Sequence, residues 1–163
     1  MKQAIFLVYL TLSALSGYAQ RSEVHAHQRE FDFWVGQWNV CKYGTDSIVG
    51  FSQIESINDG TAILENYHTN GKYKGKSLNT YNQKTGNWEQ YWTDNGGTIL
   101  HLTGGIKDGK MVLSQSSVTE AGERIDRITW TPEPNNEVRQ SWDVSTDDGA
   151  TWNRIFDGIY KKR

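Results

Sequence analysis

Six side chains in this sequence could do more than pack: Glu65, Tyr81, Gln90, His101, Arg127 and Gln140. Glu65, Tyr81 and His101 can take or give a proton, the chemistry of a small lyase or isomerase. Arg127 and Gln140 can hold a polar group of a ligand, anionic or carbonyl in the case of Arg127, while Gln90 and Gln140 can equally contact a ligand or satisfy backbone at a bulge. The two glutamines alternate with tryptophan, in Trp88-Glu-Gln-Tyr-Trp92 and in Gln140-Ser-Trp142. In an extended strand, residues two apart share a face, so Gln90 stands with Trp92 and Gln140 with Trp142. Polar groups set among large aromatic rings on a buried face cost free energy, and a core built for stability alone would use Val and Leu there. The eight residues Glu65, Tyr81, Gln90, Trp92, His101, Arg127, Gln140 and Trp142 are therefore the expected lining of a ligand cavity.

Each has a structural reading beside the functional one. Arg127, expected to point inward between Ile125 and Thr129, could pair with Glu65 as a buried bridge. Arg154, expected on the inward face with Trp152 and Phe156, could stack across Trp38 and close the fold. His68 and His101 have no partner at metal-ligand spacing, and a hydrogen-bonded structural role is the expectation for both. No nucleophile–base–orienter set is visible, so the catalytic residues are unknown and binding leads over catalysis. Cofactor and metal are both expected to be none.

The elements that must position these residues are short. Nine clusters of turn residues punctuate the chain, among them Asn58-Asp-Gly60, Asp94-Asn-Gly-Gly97, Lys107-Asp-Gly109 and Asp147-Asp-Gly149. Nearly all place a Gly where a hairpin needs positive φ. Between them lie ten segments rich in β-formers, too closely joined for parallel crossovers. The expected fold is all-β, an up-and-down antiparallel barrel of about ten strands, because closure removes the exposed edges of such a meander. Phe31-Asp-Phe-Trp-Val-Gly-Gln-Trp38 supplies the plug and the opening strand, with Trp34, Gly36 and Trp38 as structural residues. Asp147, Gly149, Trp152 and Arg154 are assigned structural roles as well.

The 163 residues carry 17 Lys and Arg against 19 Asp and Glu, with a basic run only at Lys161-Lys-Arg163, so no nucleic-acid partner is expected. Met1–Ala19 reads as a secretory signal peptide: Lys2, an apolar stretch over Ala4–Leu15, then Gly17-Tyr-Ala19 for cleavage. The mature protein is expected to be secreted or periplasmic, without membrane insertion. Residues 20–30 read as a linker or short helix, with His25 and His27 exposed, and 31–163 as one barrel domain. Cys41, the single cysteine, allows no internal disulfide and reads as a small buried hydrophobe.

Gly36-Gln-Trp38 after its aromatic lead-in resembles the Gly-x-Trp opener of calycins. Together with Arg127-Ile-Thr-Trp-Thr-Pro132, Val138-Arg-Gln140 and one Ser-x-Asp-x-Gly-x-Thr-Trp hairpin ending at Trp152, the chain from about Glu30 to Tyr160 is similar to a calycin-like family of bacterial secreted proteins of unassigned function. That resemblance implies a lipocalin-type barrel with a small-molecule cavity and brings no reaction. The hairpin also resembles the Asp-box of sialidase propellers, which need one per blade. A single copy is a turn device. Haem-binding nitrobindin-type barrels are more distant relatives; their glycine-richer opener is not matched and no His lies on the last strands. The expected function is small-molecule binding, with a partly apolar ligand whose polar or anionic group is held in the barrel. The alternatives are a small barrel enzyme using Glu65, Tyr81 or His101 and, after it, a haem-binding barrel.

Overall fold

A computed structural model of the chain describes residues 26–163 apart from 121. The signal-peptide segment, most of the linker and His25 lie outside the described residues. Ten strands follow one another: β1 (Gly36–Lys42), β2 (Ile48–Ile57), β3 (Ala62–Thr69), β4 (Lys74–Asn82), β5 (Asn87–Asp94), β6 (Ile99–Lys107), β7 (Lys110–Thr119), β8 (Gly122–Glu133), β9 (Glu137–Ser145) and β10 (Asn153–Lys162). Each pairs antiparallel with its sequence neighbours, and β10 returns to β1, so the sheet is a closed up-and-down barrel. The expected fold and all nine turns are found. The β6–β7 connection shows how local the signal is: Asp108 and Gly109 take φ values of 50° and 74°, the pair of positive angles that a two-residue hairpin matched to strand twist demands.

The end of the barrel where β1 begins is closed by the aromatic lead-in. Residues 26–27 are helical and 28–31 form hydrogen-bonded turns, followed by a 3-10 turn, Asp32–Trp34. Phe31 and Trp34 have no exposed surface; their rings stack at 4.9 Å and meet Trp130 at 5.1 and 5.4 Å. Trp88 meets Phe31 edge-on and donates its indole N–H to Glu30, which fixes the plug to β5. Trp38 is fully buried and donates to the Trp34 carbonyl at 2.9 Å. Gly36 enters β1 at φ 151°, and a Cβ there would sit 2.5 Å from the Lys162 ammonium.

The cation stacked on Trp38 is Lys162, 4.1 Å from the ring centre, and not Arg154. The register explains the difference. Trp38 is paired with Lys162 at the end of β10, whereas Arg154 stands eight residues back along the strand, roughly 26 Å away in extended chain. Arg154 instead joins an ionic ladder on the outer surface. It binds Asp143 at 2.9 Å and Asp157 at 3.2 Å, and Arg139 grips the other side of Asp157 with two hydrogen bonds while stacking on Tyr43. No helix among the described residues is long and apolar enough to cross a membrane. Cys41 is buried and unpaired.

Candidate functional site

Above the aromatic floor the barrel is not filled. A cavity of about 70 Å³ is bounded by Glu65, Tyr67, Tyr73, Gln90, Trp92, Leu100, Ile128, Gln140, Trp142, Phe156 and Tyr160, contributed by β3, β5, β6, β8, β9, β10 and the β3–β4 turn. Glycines opposite two of its rings keep it open. A methyl group on Gly75 would lie 2.3 Å from the Trp92 indole, and one on Gly158 would lie 2.7 Å from the Phe156 ring. Without those methyl groups both rings can lie back against the barrel wall.

Five of the eight expected lining residues meet here: Glu65, Gln90, Trp92, Gln140 and Trp142. Glu65 is the centre of the polar part. It is 3% exposed and accepts hydrogen bonds from the Ser52 hydroxyl at 3.0 Å and the Ser77 hydroxyl at 2.9 Å. The chain of contacts continues outward: Asn79 donates to Ser77 Oγ, and Gln90 donates to Asn79 Oδ1 at 2.7 Å. Across the cavity the Tyr160 hydroxyl donates to Gln140 in a short hydrogen bond. Among the described residues no cation pairs with Glu65. Burial raises its pKa to about 7, and the two serine hydroxyls only partly offset that. Burial also raises the phenols facing it: Tyr67, Tyr73 and Tyr160 all sit above the ordinary tyrosine value, with the negative charge of Glu65 adding to the shift.

At the exposed side, Tyr73 donates to Asp94 at 2.8 Å, and the Trp92 indole N–H reaches the same oxygen at 3.2 Å. Burial would raise the Asp94 pKa, yet the donors Tyr73, Thr98 and Trp92 outweigh it and bring it to about 2. Trp142 is held by its indole N–H, which donates to Asp126 at 2.8 Å. Asp126 is itself buried and clasped by two hydrogen bonds from Arg124. Burial opposes ionisation of Asp126, but Arg124 and Trp142 keep its pKa below the ordinary value.

Three expected lining residues lie elsewhere. Arg127 is on the outer face of β8, its guanidinium 3.6 Å above the Trp152 ring and 3.8 Å from Asp143. The inward face of β8 is the other one, carrying Asp126, Ile128 and Trp130, all nearly inaccessible. Arg127 therefore forms no bridge with Glu65. His101 is also outward, stacked on Tyr91 at 4.2 Å and bonded to Glu89 at 3.1 Å, because its neighbours Leu100 and Leu102 take the core side. Tyr81 stands at the plugged end, stacked on His27 at 5.2 Å and edge-on to Trp88. Glu65, Tyr81 and His101 thus do not converge on one point. His68 is exposed beside Phe51.

The assigned inward face of β10 is corrected by a bulge. Arg154 pairs with Asp143 and Phe156 with Trp142, leaving Ile155 unpaired. The extra residue turns Arg154 and Trp152 outward while Phe156 faces the cavity. Trp152 consequently packs under Arg127 rather than in the core. The hairpin it follows is the expected turn device. Ser145 Oγ accepts the Gly149 N–H at 2.9 Å, and Asp147 accepts both the Thr151 N–H and the Thr151 hydroxyl. Those Thr151 bonds, with a third from Ser145, lower the Asp147 pKa to about 2.

Sequence reasoning missed Tyr67, Tyr73, Leu100, Ile128, Phe156 and Tyr160 as lining. The signal for Tyr67 was present, since it stands two residues from Glu65 on one strand face. Among the described residues no group of three His, Cys, Asp or Glu side chains is placed to hold a metal ion. No known protein-family model matches the chain, and no curated protein matches it.

Proposed function

We propose that this protein is an exported, calycin-like barrel that binds a small, partly apolar molecule in the cavity above its aromatic floor. One observation carries the reading: a fully buried carboxyl, Glu65, faces an aromatic-walled space and has no cation to compensate it among the described residues. Burying a carboxyl without an ionic partner lowers stability. A glutamine would keep the hydrogen-bonding shape without the charge. Retaining the acid in a largely aromatic space is what a site for a polar group of a ligand requires. Gln90 and Gln140 stand on the same cavity and add amide donors and acceptors. The anion-holding role expected of Arg127 falls away with its outward position, and with it the expectation of an anionic ligand.

The size of the cavity limits the occupant. An apolar cavity of about 150 Å³ accepts a six-carbon ring, so 70 Å³ encloses about three non-hydrogen atoms, and a longer chain extends past the exposed Tyr73. A haem is far larger, and no histidine lines the space, so a haem barrel does not fit. A proton-transfer enzyme keeps one supporting observation, the Glu65 pKa of about 7, in the range suited to a general base. The partners expected for it, Tyr81 and His101, are elsewhere, and the phenols that face Glu65 have raised pKa values.

The test is a fragment screen read by NMR on the indole N–H resonances. Saturable shifts at Trp92 and Trp142, with Trp34, Trp38 and Trp130 of the floor unmoved, support the cavity as the site. Shifts confined to Trp152, or none from any fragment, overturn it.

A further inference from the structure

The cavity has a sign as well as a size. Its only ionisable groups besides the carboxyl are phenols, Tyr67, Tyr73 and Tyr160; every other lining side chain is neutral. Beyond the lining, two carboxylates hold its rings: Asp94, bonded to Tyr73 and Trp92 at the exposed side, and Asp126, bonded to Trp142 and itself paired with Arg124. Within the lining, six rings (Tyr67, Tyr73, Trp92, Trp142, Phe156 and Tyr160) surround one small space. Ring faces attract cations through their quadrupole, most strongly where water is excluded. A carboxylate does the same through charge and hydrogen bonding. Nothing in this lining compensates an anion, and a neutral ligand leaves the buried carboxylate unpaired.

We propose that the ligand is a small organic cation, a primary or secondary alkylammonium with its N–H groups on Glu65 and about three of its non-hydrogen atoms enclosed among the rings of Trp92, Trp142 and Phe156. This rests on the cavity being the binding site and adds the ligand class. The ammonium supplies the charge that Glu65 lacks, so binding removes the cost of ionising a buried acid. Below about pH 7 the incoming cation must displace a proton from Glu65 to solvent, so its affinity falls with acidity and one proton is released per cation bound. Tyr67 and Tyr73 from the β3 side and Tyr160 from β10 have raised pKa values and stay neutral across that interval, and Ser52, Ser77 and Gln90 do not titrate. Asp94, with a pKa near 2, stays ionised there.

The experiment is calorimetric titration of the unaltered protein with three probes of matched size, n-butylammonium, 1-butanol and butyrate, above and below neutral pH. The expected result is that butylammonium binds about tenfold or more tightly than butanol, that butyrate does not bind, and that the preference shrinks in acid. Glu65→Gln should abolish the preference for ammonium over alcohol and leave butanol binding in place. Arg127→Met, on the outer surface, should change neither. Butanol binding as tightly as butylammonium rejects the cation class while leaving the cavity as the binding site. Failure of all three probes to bind rejects the cavity reading itself.

Discussion

Replacing Glu65 by glutamine should stabilise the protein, and by an amount that depends on pH. The carboxyl is fully enclosed and its pKa stands at about 7 against an ordinary value near 4.5. For an acid with a raised folded-state pKa, the folded state holds the proton more tightly than the unfolded chain. Its favourable contribution is complete below the unfolded value of about 4.5 and is lost as pH rises through the folded value near 7. That interval, at about 1.4 kcal/mol per unit, amounts to about 3 kcal/mol. Glutamine has the same shape, and the hydroxyls of Ser52 and Ser77 can rotate to meet its amide. Urea unfolding of both proteins from about pH 4 to about pH 8 should give equal stabilities at the acid end and an advantage for Glu65→Gln of up to about 3 kcal/mol at the other. Asp94, Asp126 and Asp157 have lowered pKa values, so their stabilisation is present above the unfolded value and lost in stronger acid; it is common to both proteins and cancels in the difference. A difference that does not vary with pH, or a wild type that is the more stable at the alkaline end, would refute the placement of an unpaired acid in the cavity.

Other variants probe the parts that hold the cavity in place. Trp38→Ala removes a fully buried indole under Lys162 and should cost about 3–5 kcal/mol in urea unfolding. Gly75→Ala should cost about 1–3 kcal/mol and shift the indole resonance of Trp92, because the new methyl group would lie 2.3 Å from that ring and 2.9 Å from the Thr93 carbonyl. Arg127→Met, which removes a half-exposed cation from above Trp152, should lower stability by no more than about 1 kcal/mol and leave Glu65 untouched. A larger loss there, recovered by Glu65→Gln, would restore the buried bridge that the register excludes.

The barrel could be read from the sequence because its determinants are local. Asp108-Gly109 and Asp147-Asp-Gly149 mark turns through their own φ preferences, whatever lies around them. The alternation of Trp88, Gln90 and Trp92 against Glu89, Tyr91 and Thr93 assigns the face of β5 without further information. The same cue failed on β8, because both faces carry apolar and charged residues. Asp126 reads as an outward charge, and only Arg124 and the Trp142 indole, one on β8 and one on β9, make its burial affordable. On β10 the period broke at Ile155, and a bulge leaves no mark in the residue types that would separate Arg154 from Phe156. Of the site, the strand-borne glutamines and tryptophans were visible, and so was Glu65. Tyr160 was passed over although it shares the face of Phe156, four residues on. Tyr73 was hidden by its place in a turn, where no alternation applies.

The most direct measurement is native mass spectrometry of the protein purified from its native host under non-denaturing conditions, with any retained small molecule identified after release and the Glu65→Gln variant prepared in parallel. The expected result is a stoichiometric amine on the wild type and its loss from the variant. An anionic molecule, or equal retention by both proteins, would contradict the assignment of Glu65 as the group that holds the ligand.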